Sequence, residues 1–137
     1  MNGLLSNEAA HRLISEGLKE ATRLNQNVAI AVVDLHGHLL AFQRHDDTMF
    51  MANDAAIAKA RTAAGFRRST SEMQSTLEAG KTAYLSLPGC LPLAGGEPIL
   101  VRGQVLGGLG VSGAPSSTDV QIASAAMASI DSFAEQA

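Results

Sequence analysis

The stretch Gly95-Gly96-Glu97-Pro98-Ile99-Leu100-Val101-Arg102-Gly103-Gln104-Val105-Leu106-Gly107-Gly108-Leu109-Gly110-Val111-Ser112-Gly113 sets seven glycines into an otherwise β-forming run. It contains a literal G-x-G-x-x-G, Gly108 to Gly113, so it reads either as a phosphate cradle or as part of a sheet. A dinucleotide fingerprint needs its glycines to leave a strand and open a helix at once. Here they lie within and at the end of the β run, and helix-forming sequence resumes only several residues later. There is also no Gly-Lys-Ser/Thr ending for a P-loop. Glycines inside a strand instead strip away side chains, so that a helix backbone or a flat ligand can approach closely. The run therefore serves either a helix packed over Gly107, Gly108 and Gly110, or a shallow pocket floor that includes Gly108 and Gly110.

At 137 residues the chain is the size of one domain, and residues 1–137 are read as such. An apolar share of 46% against 17% charged residues describes a globular chain without a transmembrane span. The first residues lack the basic and long apolar regions of an export signal, which gives a cytosolic expectation. A net charge of −3, scattered cations and only five Phe and Tyr residues argue against a nucleic-acid partner. The lone Cys90 has no partner for an internal disulfide and reads as a small packed residue.

In chain order, Ser6 caps a helix with apolar Ala10, Leu13, Ile14, Leu18, Ala21 and Leu24 at helical spacing, and His11 falls on its polar side as a solvated residue. Residues 28–34 and 39–43 form a hairpin turning at Gly37, the first strand apolar on both faces and therefore central. Alanine-dense residues 52–64 form a helix stopping at Gly65, and Ser69 with Glu72 opens a short helix ending at Gly80. Lys81 to Leu87 is a further strand candidate before the loop at Pro88, Gly89 and Pro92. Two strands meet at Gly103. A last helix, with Ser116 and Asp119 at capping-box spacing, buries Val120, Ala123, Ala126, Met127, Ile130 and Phe133. The expected fold is α+β, an antiparallel sheet of about five strands flanked by helices in the order α-β-β-α-α-β-β-β-α.

Charged residues in apolar surroundings are the site candidates. Arg44 and Asp46 share one face of an extended segment and can hold a polar ligand or pair with each other. Lys59, amid alanines, can bind a carboxylate, act as an amine base once desolvated, or snorkel to solvent. Glu97, after Gly95 and Gly96, can accept from a ligand or cap a turn. His36, His38 and His45 invite a metal, but Gly37 scatters the first two and no cysteine or carboxylate spacing completes a set, so the metal question stays open.

Several of these motifs together resemble the GlcG-like family, which includes HbpS-type haem-binding proteins and the C-terminal domain of PduO-type proteins. The motifs are Val32-Val33-Asp34-Leu35-His36-Gly37-His38-Leu39-Leu40 with Arg44-His45-Asp46, Lys59-Ala60-Arg61-Thr62-Ala63, Gly95-Gly96-Glu97-Pro98, and Gly103 through Gly113. The resemblance implies a profilin-like fold and homo-oligomers, dimers or larger rings. It leaves two functions. One is a cytosolic binding protein for haem or another flat anionic small molecule, held over Gly95, Gly96, Gly108 and Gly110 with Arg44 and Lys59 near its carboxylates. The other is a small lyase or isomerase acting on a carboxylic or hydroxylamino-aromatic acid, with Lys59 as base or anchor and Asp46 or Glu97 as proton carrier.

Overall fold

A computed structural model describes residues 4–132. Four helices, α1 (Asn7–Arg23), α2 (Met51–Phe66), α3 (Thr70–Glu78) and α4 (Ser116–Ala128), surround four strands, β1 (Ala29–Asp34), β2 (Leu39–Arg44), β3 (Gly96–Val101) and β4 (Gln104–Ser112). The sheet is antiparallel throughout, in the order β2-β1-β4-β3.

Strand β1 is central because alternate residues serve two cores. Ile30 and Val32 pack with Leu13 and Ile14 of α1 and with Ile122, Ala123 and Ala126 of α4. Ala29, Ala31 and Val33 face Ala52, Ala56, Ala60 and Ala64 of α2, a stripe at four-residue spacing. Pro98, which cannot donate to a ladder, stands on the edge strand β3 opposite Gly108.

The glycine run becomes β4 and the start of β3, and α2 lies directly over it. A Cβ on Gly110 would strike the Ala56 carbonyl oxygen, and one on Gly108 the Ala60 carbonyl oxygen. Small residues on both partners let the helix backbone rest almost on the strand backbone. The two positive φ angles at Arg102 and Gly103 make the tight β3–β4 hairpin turn.

Three expectations are corrected. Residues 81–87 are not a strand: Thr82–Ser86 is a short 3-10 helix, so the sheet has four strands and the order is α-β-β-α-α-β-β-α with that turn inserted. Tyr84 is held there by Phe66, edge to face at 5.7 Å, and by the Arg68 guanidinium at 2.9 Å, contacts that a strand would forgo. Helix α2 runs past Gly65 and ends when Arg67 takes the left-handed conformation. Helix α4 has no side-chain cap from Ser116, because Pro115 stands at the cap position, Ser116 is already helical and the Asp119 amide donates to the Pro115 carbonyl. The expected caps at Ser6 and Ser69 are present, accepting from the Ala9 and Glu72 amides. Phe133 lies outside the described residues.

Candidate functional site

Lys59 stands between Ala56 and Ala60, the two residues whose carbonyls rest on β4, and the helix carries its side chain inside. Only 4% of it is exposed. Its ammonium donates to the Val111 carbonyl oxygen at 2.9 Å and to the Asp119 carboxylate at 3.3 Å. The other oxygen of Asp119 accepts from the Ala114 amide at 3.1 Å. One buried ion pair thus ties α2, the end of β4 and the first turn of α4 together. Gly95, at φ +124°, makes room for it: a Cβ there would meet the Val111 carbonyl and stand 3.0 Å from the ammonium. Gly96 does the same for the Lys59 backbone, and Thr70 clips its amide at 2.8 Å.

Burial dominates the electrostatics. Desolvation lowers the Lys59 pKa, opposed by the charge of Asp119. Desolvation likewise raises the Asp119 carboxyl to about 6, against the pull of Lys59 and the Ala114 amide. The lysine's hydrogen-bonding capacity is directed into the fold, toward Val111 and Asp119.

The expected proton machinery is not gathered in one place. Glu97 is half-buried, its carboxyl pushed up first by burial and then by the negative charge of Glu72 rather than answering to Lys59. Asp46 is exposed in the turn after β2. Arg44 is exposed and donates to the Thr48 carbonyl at 3.3 Å, without an ion pair to Asp46. Gly108 and Gly110 are covered by α2, so of the two readings the structure shows helix packing over them, and they act on the site by fixing where Lys59 enters. Asp119 is the residue that sequence reasoning missed. Its spacing from Ser116 imitates a helix cap, and its true partner is 60 residues away.

The histidines are scattered too. The His45 ring accepts from the Val28 amide and meets the Thr22 hydroxyl. The His38 ring faces Asp34 at 3.5 Å. Among the described residues no three His, Cys, Asp or Glu side chains converge as a metal set.

Among the described residues, clefts large enough for a small molecule include the following three. A groove of about 580 Å³ runs between the outer face of α1 and β2, walled by Leu18, Lys19, Arg23 and Gln43. A trough of about 410 Å³ with almost wholly apolar walls lies along the first half of α2, beside Met49, Met51 and Leu93. A third cleft, of about 340 Å³, sits between the β1–β2 turn, the end of α2 and the loop around Pro88.

Comparison with known proteins follows the same fold. Residues 5–128 match the family model described as haem degrading protein HbpS-like. Protein GlcG of Escherichia coli is 42% identical over 109 residues, covering 80% of this chain and 81% of GlcG. A double mutant of Streptomyces reticuli HbpS superposes with a TM-score of 0.84 at 36% identity, covering 91% of this chain and 86% of that one. The crystal structure of a PduOC–haem complex superposes with a TM-score of 0.84 at 28% identity, covering 93% and 96%.

Proposed function

We propose that this chain, which belongs to the HbpS-like family, binds haem or another flat, anionic small molecule. The observation that carries the reading is the haem-bound relative, whose chain is matched over 96% of its length at a TM-score of 0.84.

The α1–β2 groove fits such a ligand best. It is the largest of the three, and haem needs an apolar face, cations for its propionates and a nitrogen or sulfur donor for its iron. Leu18 supplies apolar wall, and Lys19 and Arg23 supply the cations. Lys19 now pairs with Glu16 at 3.1 Å, and Arg23 makes a two-pronged pair with the half-buried Glu20 at 2.8 and 2.7 Å. The single contact of the exposed Lys19 holds weakly enough to be exchanged for a ligand carboxylate, and Arg23 has a further guanidinium nitrogen to offer beside its pair. His11 stands one turn before Ser15 on α1, beyond the groove's own lining, and its exposed imidazole would be the nitrogen donor for a ligand reaching past Ser15. Bound haem would supply an iron centre there; the chain supplies position, charge and an apolar surround.

Lys59 then holds the scaffold rather than the ligand, since its ammonium is already engaged by Val111 and Asp119. Self-association is part of the same reading and is supported by the exposed apolar Met49, Phe50 and Met51; sedimentation of the purified chain as a monomer at high concentration would remove it.

The test is a haem titration of the purified apo-protein followed in the Soret band. We expect saturation at one haem per chain, and a changed Soret position with weakened binding in His11→Ala. A titration with no saturable Soret change overturns the reading.

A further inference from the structure

The cleft between the β1–β2 turn, the end of α2 and the Pro88 loop is a built site that the haem reading leaves unused. Its walls are apolar and held in place. Phe66 is braced edge-on by Tyr84, whose hydroxyl is in turn held by Arg68, and Leu35, Leu87 and Pro88 complete the walls. The floor is closed by Thr62, whose hydroxyl donates to the Ala58 carbonyl at 2.7 Å and accepts from the Leu91 amide at 2.9 Å.

One charge stands at the rim. The Arg61 side chain lies across the turn against Gly37, its Nε 3.5 Å from where a Cβ would sit. Among the described residues the Arg61 guanidinium has no hydrogen bond or ion pair, and no carboxylate lines the cleft. A cation held beside an apolar slot and lacking a counter-ion is half of a carboxylate site, because the guanidinium fork matches two carboxylate oxygens.

Most backbone amides around the cleft are already used, which argues against a more highly charged ligand. The His36 and Gly37 amides are spent on Asp34, and the Leu87, Cys90 and Leu91 amides on Tyr84, Leu87 and Thr62. No cluster of free amides is left to cradle a phosphate. Burial pushes the Cys90 thiol up, so it stays neutral at pH 7 and adds polarizable wall rather than charge.

We propose that this cleft binds a small monocarboxylate with a flat apolar body, its carboxylate on the Arg61 guanidinium and its body between Phe66 and the Leu87–Pro88 wall. The site is separate from the α1–β2 groove and does not rest on haem binding. A pocket of about 340 Å³ suits a molecule far smaller than a porphyrin.

The experiment is titration of benzoate into the isotope-labelled chain, read by amide chemical shifts. Saturable shifts are expected at residues 35–37, 61–66 and 87–90. Neutral benzamide, which loses the charge-assisted hydrogen bond, and inorganic phosphate, which has no apolar body to fill the slot, should each bind at least about tenfold more weakly. Arg61→Gln should weaken benzoate about tenfold or more, with an unchanged melting temperature and an unchanged haem titration, whereas Arg44→Gln should bind benzoate as the parent does. Phe66→Ala should weaken benzoate and benzamide alike. Benzamide or phosphate binding as well as benzoate, shifts centred elsewhere, or full affinity in Arg61→Gln would each overturn the assignment. Loss of haem binding in Arg61→Gln would overturn the separation of the two sites.

Discussion

Lys59 and Asp119 meet at 3.3 Å with side chains only 5% and 4% exposed, joining two helices from opposite faces of the sheet. Desolvating two charges costs several kcal/mol, which their mutual attraction and the bonds to Val111 and Ala114 must offset. Such a pair fixes geometry more than it adds stability. Its removal one half at a time should therefore be far worse than its removal whole. Lys59→Met or Asp119→Leu alone is expected to cost about 3–5 kcal/mol, the usual penalty for stranding a buried charge. The double variant should recover most of that loss. Urea unfolding of all four proteins measures it, and additive single losses would show that the two side chains act independently.

The same pair gives stability a pH dependence of definite sign. Asp119 titrates near 6 in the folded chain against 3.8 for the free group, so between those values the folded state holds more protons than the unfolded one. Stability contributed by this carboxyl therefore rises as pH falls from about 6 toward 4, opposite to a carboxylate with a depressed pKa. Lys59 is lowered from 10.5, so its contribution grows as pH rises toward that value. Asp119→Asn removes the titration, so urea unfolding of parent and variant from pH 4 to 8 isolates it. The parent-minus-variant difference should be level above about pH 6 and should move in the parent's favour as pH falls toward 4. A difference that is flat across the whole range would show that Asp119 does not titrate in this window.

Glycines that look alike in the sequence should respond oppositely to a methyl group. At Gly110 an added Cβ strikes the Ala56 carbonyl and the Ala60 amide nitrogen, which are helix backbone and cannot step aside. Gly110→Ala is expected to lose at least about 2 kcal/mol, in the range of overpacked cores. Gly65 lies in α2, exposed, with nothing within 4 Å of its Cβ position. Gly65→Ala should gain about 0.5–1 kcal/mol through helix propensity. Thermal unfolding of the two variants checks both signs at once.

These contrasts show what was legible in the sequence. The two-sided apolarity of Val28 to Val33 announced a central strand, and it is one, because alternation is a local property. The glycine run announced a close approach, and α2 makes that approach. Asp119 was hidden, since its position three residues after Ser116 satisfies a local rule that the tertiary structure overrides. Residues 81–87 were hidden for a related reason: a short apolar run has no fixed conformation until a partner is found, and Tyr84 found Phe66 rather than a strand. Lys59 was legible as unusual but its role as an internal anchor was not, because nothing local tells which carbonyl and carboxylate a buried ammonium will reach.

The cations of the α1–β2 groove offer a test that separates ligand binding from folding. Lys19 and Arg23 are themselves exposed and pair only within α1, so replacing both with Gln should change apo-protein stability by no more than about 1–2 kcal/mol. If they receive the carboxylates of haem, the double variant should bind haem about tenfold or more weakly, the size of effect that charge-assisted hydrogen bonds give. Its affinity should also depend less on salt than the parent's, since screening acts on the charges that were removed. Soret titrations of both proteins at low and high salt supply the four affinities. Equal salt dependence in parent and variant would place the carboxylates elsewhere on the chain, even if haem still binds.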